Sequence, residues 1–156
     1  MNERSDAAVR VLRRFRLVFN AVKAHFQQVE KRAGVGGAQL WALSVIALQP
    51  GLGVTRLARE MDVHQSTASN LVRSLVEREL VVASREGSDR RAVQLQLLPA
   101  GRRVLRNAPA PLAGVLPQAL ESLDEETLAR LDADLARLIV VLGADREHAN
   151  VPLGQR

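Results

Sequence analysis

The most constraining stretch of this chain runs from Thr55 to Gly101, where two short helix-forming segments flank a tight turn and two strand-like runs follow. Thr55 to Met61 puts Leu57, Ala58 and Met61 on one side of a short helix, and Asp62-Val63-His64 makes the turn. From Gln65 to Glu79 the apolar positions Ala68, Leu71, Val72 and Leu75 share one helical face, while Ser66, Ser69, Asn70, Arg73 and Glu77 line the opposite one. Val81 to Arg85 and Ala92 to Leu98 have the alternation and β-branching of a two-stranded ribbon, with Gly87-Ser88-Asp89-Arg90-Arg91 as its charged tip. Helix, turn, helix and ribbon in that order predict a winged helix-turn-helix, whose expected partner is duplex DNA.

Helices flank this lobe on both sides. From Asp6 to about Ala33 there is no Gly or Pro, and Leu12, Phe15, Phe19, Val22, Phe26 and Val29 recur at spacings of three and four. Gly34, Gly36 and Gly37 end that helix, and Ala38 to Leu48 predicts a mostly apolar helix that stops before Pro50 and Gly51. Trp41 in it reads as a core anchor, with a ligand wall as the alternative. Past the ribbon, Pro99-Ala100-Gly101 opens a helix that Pro109, Pro111 and Pro117 must break or kink. Ser122 followed by Glu125 reads as a capping box, and Leu128, Leu131, Leu135, Leu138 and Leu142 form an apolar stripe up to Gly143. The fold class expected is mostly α with a small β wing: residues 1–48 as N-terminal packing and dimerisation helices, 49–98 as the DNA-binding lobe, 99–145 as C-terminal dimerisation helices, and 146–156 as a flexible tail.

Charge supports this picture only through its distribution. The net charge is +5, yet residues 54–98 carry seven basic and six acidic side chains, so the DNA-binding argument rests on pattern. Residues 1–32 carry eight basic against three acidic groups and residues 122–156 four against seven, which predicts that the first and last helices lie near each other, within a subunit or across a dimer. There is no cysteine, which excludes thiol sensing, and His25, His64 and His148 lie too far apart in sequence to suggest a metal set. With no run of about 20 apolar residues and no signal-like start, the expected location is the cytoplasm, with no membrane partner.

A recognition helix reads base edges mainly through its first turns, which here offer Gln65, Ser66, Thr67, Ser69 and Asn70. Asn70 and Gln65 suit adenine, and Arg73 a guanine or a phosphate. At the wing, Arg90 and Arg91 suit a narrow minor groove, with Asp89 holding a guanidinium extended. The plainer alternatives are a solvated helix face and a surface ion pair.

In combination these residues resemble the multiple antibiotic resistance regulator (MarR) family across nearly the whole chain. The likeness runs through the long first helix, the Gln39-containing second helix, Thr55-Arg56-Leu57-Ala58-Arg59-Glu60-Met61, Gln65-Ser66-Thr67-Ala68-Ser69-Asn70, the wing and the closing helices. Its most specific piece is Asp89-Arg90-Arg91 followed by the Val93-to-Leu98 strand and Gly101, although Pro99 replaces part of the family's ending. The resemblance implies a homodimeric regulator, usually a repressor, that binds a palindromic operator and releases it when a small molecule enters. It assigns Ser66, Thr67, Asn70 and Arg73 to the major groove, Arg90 and Arg91 to the minor groove, and the dimer to the first, fifth and sixth helices. Family effectors are often aromatic acids bound between the dimer layer and the DNA-binding lobe. The cations expected to meet such an acid are Arg13, Arg14 and Arg16, beside His25 or Trp41; their alternative role is pairing with Asp132 and Asp134. A winged helix that docks on an acidic protein is the second function class. An enzyme is not expected, because there is no nucleophile-base pair, phosphate loop, metal set or cofactor motif.

Overall fold

The computed structural model describes residues 3–85, 92–144 and 149–152. Its elements are α1 (Glu3–Ala33), α2 (Gly37–Leu48), α3 (Val54–Glu60), α4 (Gln65–Glu77), β1 (Val81–Ser84), β2 (Gln94–Leu97), α5 (Pro99–Asn107), α6 (Val115–Glu121) and α7 (Glu125–Leu142). The tip residues Asp89, Arg90 and Arg91 lie outside the described residues, as do His148 and much of the expected tail.

The core is built around α2. Leu40, Ala42, Leu43 and Ile46 are buried on this charge-free helix, and α1, α3, α4, β2 and α5 all pack against it. A helix that is apolar all round needs such cover on every side. Leu57, Met61, Leu71, Leu75, Val81 and Leu95 complete the cluster.

The two helices of the helix-turn-helix end in the same way. Val63 N–H donates to the Ala58 carbonyl at 2.9 Å and Asp62 N–H to Arg59 at 3.2 Å, while Leu80 N–H donates to Leu75 at 3.0 Å and Glu79 N–H to Val76 at 2.9 Å. These are paired Schellman closures, and each places a non-glycine residue in the left-handed region, Asp62 at φ 51° and Glu79 at φ 56°. The reading helix therefore stops at Glu77, two residues short of the sequence expectation.

β1 and β2 are antiparallel, pairing Val81 with Leu97 and Ser84 with Gln94. The other edge of β2 is met by the loop after α2: Gly51 N–H donates to the Leu95 carbonyl and Leu95 N–H to the Leu52 carbonyl, both at 2.9 Å. That pairing fixes the wing to the entrance of α3.

Pro109 and Pro111 lie in the break after α5 as expected, whereas Pro117 sits in the first turn of α6. Pro109 is buried in the break, and Gly114, at φ 104°, precedes α6. The expected capping box at Ser122 and Glu125 is not formed. Ser122 closes α6, its hydroxyl donating to the Gln118 carbonyl at 2.8 Å, and Asp124 caps α7 by accepting from Thr127 N–H at 2.8 Å. With α6 still closing at 122, the cap can fall only after that residue.

Along α1 only His25 and Val29 are buried, so the helix packs through its C-terminal part; Leu12, Leu17 and Phe19 stay exposed. Among the described residues of α7 none is buried. Asp134 pairs with Arg137 at 3.8 Å within α7. Among the described residues no helix is long and apolar enough to cross a membrane.

Candidate nucleic-acid interface

The face of α4 away from the core is polar and open. Gln65, Ser66, Asn70 and Arg73 are exposed and Ser69 is half-buried, whereas Ala68, Leu71, Val72 and Leu75 are sealed against α2 and α3. Gln65 is held at the start of the helix, its Oε1 accepting from the Thr55 hydroxyl of α3 at 3.1 Å. Thr55 is a positioning contact that sequence reasoning missed, since ten residues separate the pair and no local pattern links them.

One expected member of this face turns inward. Thr67 is 9% exposed. It lies four residues before Leu71, and residues at that spacing sit above one another on a helix, so Thr67 follows Leu71 toward the core. Its side chain is therefore withdrawn from the open face expected to read bases, leaving Gln65, Ser66, Ser69, Asn70 and Arg73 as its candidates.

The candidate effector residues are not gathered into one place. Arg13 and Arg16 are exposed on α1, about 20 and 15 Å along the helix axis from Phe26 at 1.5 Å per residue. His25 is buried and packs beside Phe26, with ring centroids 6.0 Å apart. Trp41 is half-buried, packs on the core, and lines a cavity of about 140 Å³ with Val22, Phe26 and Leu116. A larger cleft of about 580 Å³ opens between α1, the α1–α2 turn and α4, where Phe26, Lys23, Glu30, Gln39, Ser74 and Arg78 line it. None of Arg13, Arg16 or His25 lines either space. Periodicity could show that the arginines lie on α1, but not how far along it α4 approaches.

The wall of the larger cleft holds a second set of contacts absent from the sequence reading. Gln39 Nε2 donates to Ser74 Oγ at 2.6 Å, and Gln39 Oε1 accepts from Gly36 N–H and from Arg78 Nη1, each at 3.1 Å. Arg78 Nη2 donates to the Gly34 carbonyl at 2.5 Å. The only local signal is Gln39 three residues after Gly36, half of a capping box whose first residue has no side chain.

The sequence profile of the MarR family matches residues 33–92, from the end of α1 through α2, α3 and α4 into the wing. Residues 33–92 thus carry the sequence pattern of the MarR family. A putative transcriptional regulatory protein for the hcr operon of Thauera aromatica is 36% identical over 101 residues, covering 64% of this chain and 56% of that protein. The HTH-type transcriptional repressor MdtR of Bacillus subtilis (strain 168) is 24% identical over 123 residues, covering 77% of this chain and 79% of that protein. The chain thus spans little more than half the length of the Thauera relative. Among solved structures, that of the S. aureus MepR–DNA complex superposes with a TM-score of 0.57 at 20% identity, over 82% of this chain and 93% of that one. At that identity the likeness shows the fold, which here is mostly helical with a two-stranded antiparallel sheet.

Proposed function

We propose that this chain is a sequence-specific DNA-binding transcription regulator of the MarR family, acting as a homodimeric repressor at a palindromic operator and released by a small acidic effector. The observation that carries the reading is the division of α4 into a sealed apolar face and an open face bearing Gln65, Ser66, Ser69, Asn70 and Arg73. Such a face enters the major groove and reads base edges; Asn70 pairs with adenine and Arg73 holds guanine or phosphate. By the family resemblance, Arg90 and Arg91 would serve the adjoining minor groove. The relatives' regulatory names support the same assignment, and the protein is not an enzyme.

The dimer follows from the exposed apolar residues on α1 and α7, including Leu17 at 66% and Val141 at 83% exposure. An 18-residue helix without buried residues gains little stability alone and needs a partner surface. A second copy supplies one, and the basic α1 and acidic α7 favour the association. The effector enters the 580 Å³ cleft, where Phe26 stacks on an apolar ring and Lys23 meets its carboxylate. A soluble cytoplasmic location accords with this role.

Selection from a random duplex library followed by sedimentation tests the reading. The expected result is an inverted repeat with half-sites about 10 base pairs apart, or a multiple of that, bound by two copies. Recovery of unrelated sequences would instead favour a winged helix that docks on an acidic protein.

A further inference from the structure

We infer that Gln39 is a positioning residue whose side-chain amide latches the reading helix to the turn between α1 and α2. The inference rests on α4 being the DNA-reading helix. The latch has four contacts, two on each side. On the turn between α1 and α2, Gly36 N–H donates to Gln39 Oε1 and the Gly34 carbonyl accepts from Arg78 Nη2. On α4 and its C-cap, Ser74 Oγ accepts from Gln39 Nε2, and Arg78 Nη1 donates to Gln39 Oε1. One amide thus uses both its ends to join elements 35 and 39 residues apart in sequence.

The placement gives the latch its consequence. Asn70, Ser74 and Arg78 are spaced by four, so they form one row along the reading helix, and all three line the cleft facing α1. The latch grips the far end of this row, about 12 Å along the axis from Asn70. A rotation or slide of α4 that breaks the contacts at Ser74 and Arg78 carries Asn70 out of register with the bases. Arg78 also closes the helix, where a cation suits the unpaired carbonyls. Its fork serves two acceptors at once, a geometry that lysine cannot reproduce.

The test uses the full chain with Gln39→Leu, Gln39→Glu, Arg78→Ala and the double variant Gln39→Leu/Arg78→Ala. It reads the affinity for a selected duplex, the affinity for scrambled duplex at several salt concentrations, and hydrogen exchange of the free protein. Gln39→Leu and Arg78→Ala should each weaken specific binding about tenfold, as loss of charge-assisted hydrogen bonds does, with little change on scrambled duplex. The double variant should be no weaker than either single one, because the residues act as a unit. Gln39→Glu keeps acceptors for Gly36, Arg78 and the Ser74 hydroxyl and should restore specific binding. Exchange should quicken together in the 34–37 turn and the C-terminal half of α4 in Gln39→Leu, while α7 stays unchanged. Arg78→Ala lowering the salt slope by about one would identify a phosphate contact instead and overturn the latch. Equal losses on both duplexes, or general destabilisation without a change in specificity, would also overturn it. If the unaltered protein prefers no duplex, the reading of α4 fails separately. The exchange data then decide the latch alone: coupled quickening upholds it, and no change overturns it.

Discussion

Gly101, in the first turn of α5, lies so close to the carbonyl of Leu80 that a Cβ at position 101 would overlap the oxygen. The same carbonyl accepts Leu98 N–H at 3.0 Å, so it is held from two directions at the junction of α4 and β1. This contact keys the C-terminal helices onto the helix-turn-helix. Gly101→Ala should therefore destabilise the chain by about 1 to 3 kcal/mol, the usual cost of forced overpacking, read by urea denaturation. Gly37→Ala is expected to cost less. There the obstructing atoms belong to the ring of Phe26, which borders the cleft and can swing aside.

The two helix ends closed by Asp62 and Glu79 invite the opposite result. Both residues occupy the left-handed region without being glycine. Asp62→Gly and Glu79→Gly remove the Cβ penalty at the cost of some added freedom in the unfolded chain. The net expectation is stabilisation by about 0.5 to 1 kcal/mol each, seen as a higher denaturation midpoint. A lower midpoint for both variants would contradict the assigned closures.

Asp124 links α7 to pH. Its carboxylate accepts from the backbone N–H of Thr127 and from the Thr127 hydroxyl, which holds its pKa below the ordinary value of 3.8. A depressed carboxylate contributes stability above the unfolded pKa and loses it as pH falls through the folded one. Exchange at the Thr127 amide should therefore remain slow from neutrality down to about pH 4 and quicken below it, after correction for intrinsic rates. Asp124→Ala should show the quickened behaviour at all pH values, with no acid transition.

On DNA, the residues of α4 and the wing should separate by kind. Asn70→Ala is predicted to change base preference at one position of each half-site, costing about 1 to 3 kcal/mol on the preferred sequence. Arg91→Ala is predicted to weaken binding to all sequences and to reduce the salt slope by about one. Anisotropy titrations on preferred and scrambled duplexes distinguish the two. Equal losses on both duplexes for Asn70→Ala would remove that residue from base reading.

Much of this molecule was legible before its structure. The apolar positions Ala68, Leu71, Val72 and Leu75 are all buried, as their spacing requires, and Pro109 and Pro111 fall where the helix breaks, while Pro117 sits in the first turn of α6, where a proline is tolerated. What was not legible has local causes. Thr67 is polar by type but shares the row of Leu71, so composition misplaced it. No glycine marks the end of α4, because Glu79 takes the conformation a glycine normally would. The capping residue of α7 was obscured by Ser122, which has the right chemistry but still belongs to α6. The cations of the cleft, Lys23 and Arg78, come from α1 and the C-cap of α4, and only the packing of those helices brings them to one opening.

The most direct measurement is binding of the purified chain to the DNA flanking its own gene, followed by anisotropy with scrambled competitor at two salt concentrations. Tight binding that survives excess competitor and shifts by a set power of salt is the predicted result. Weak binding that competitor and salt erase equally would contradict sequence-specific reading by α4.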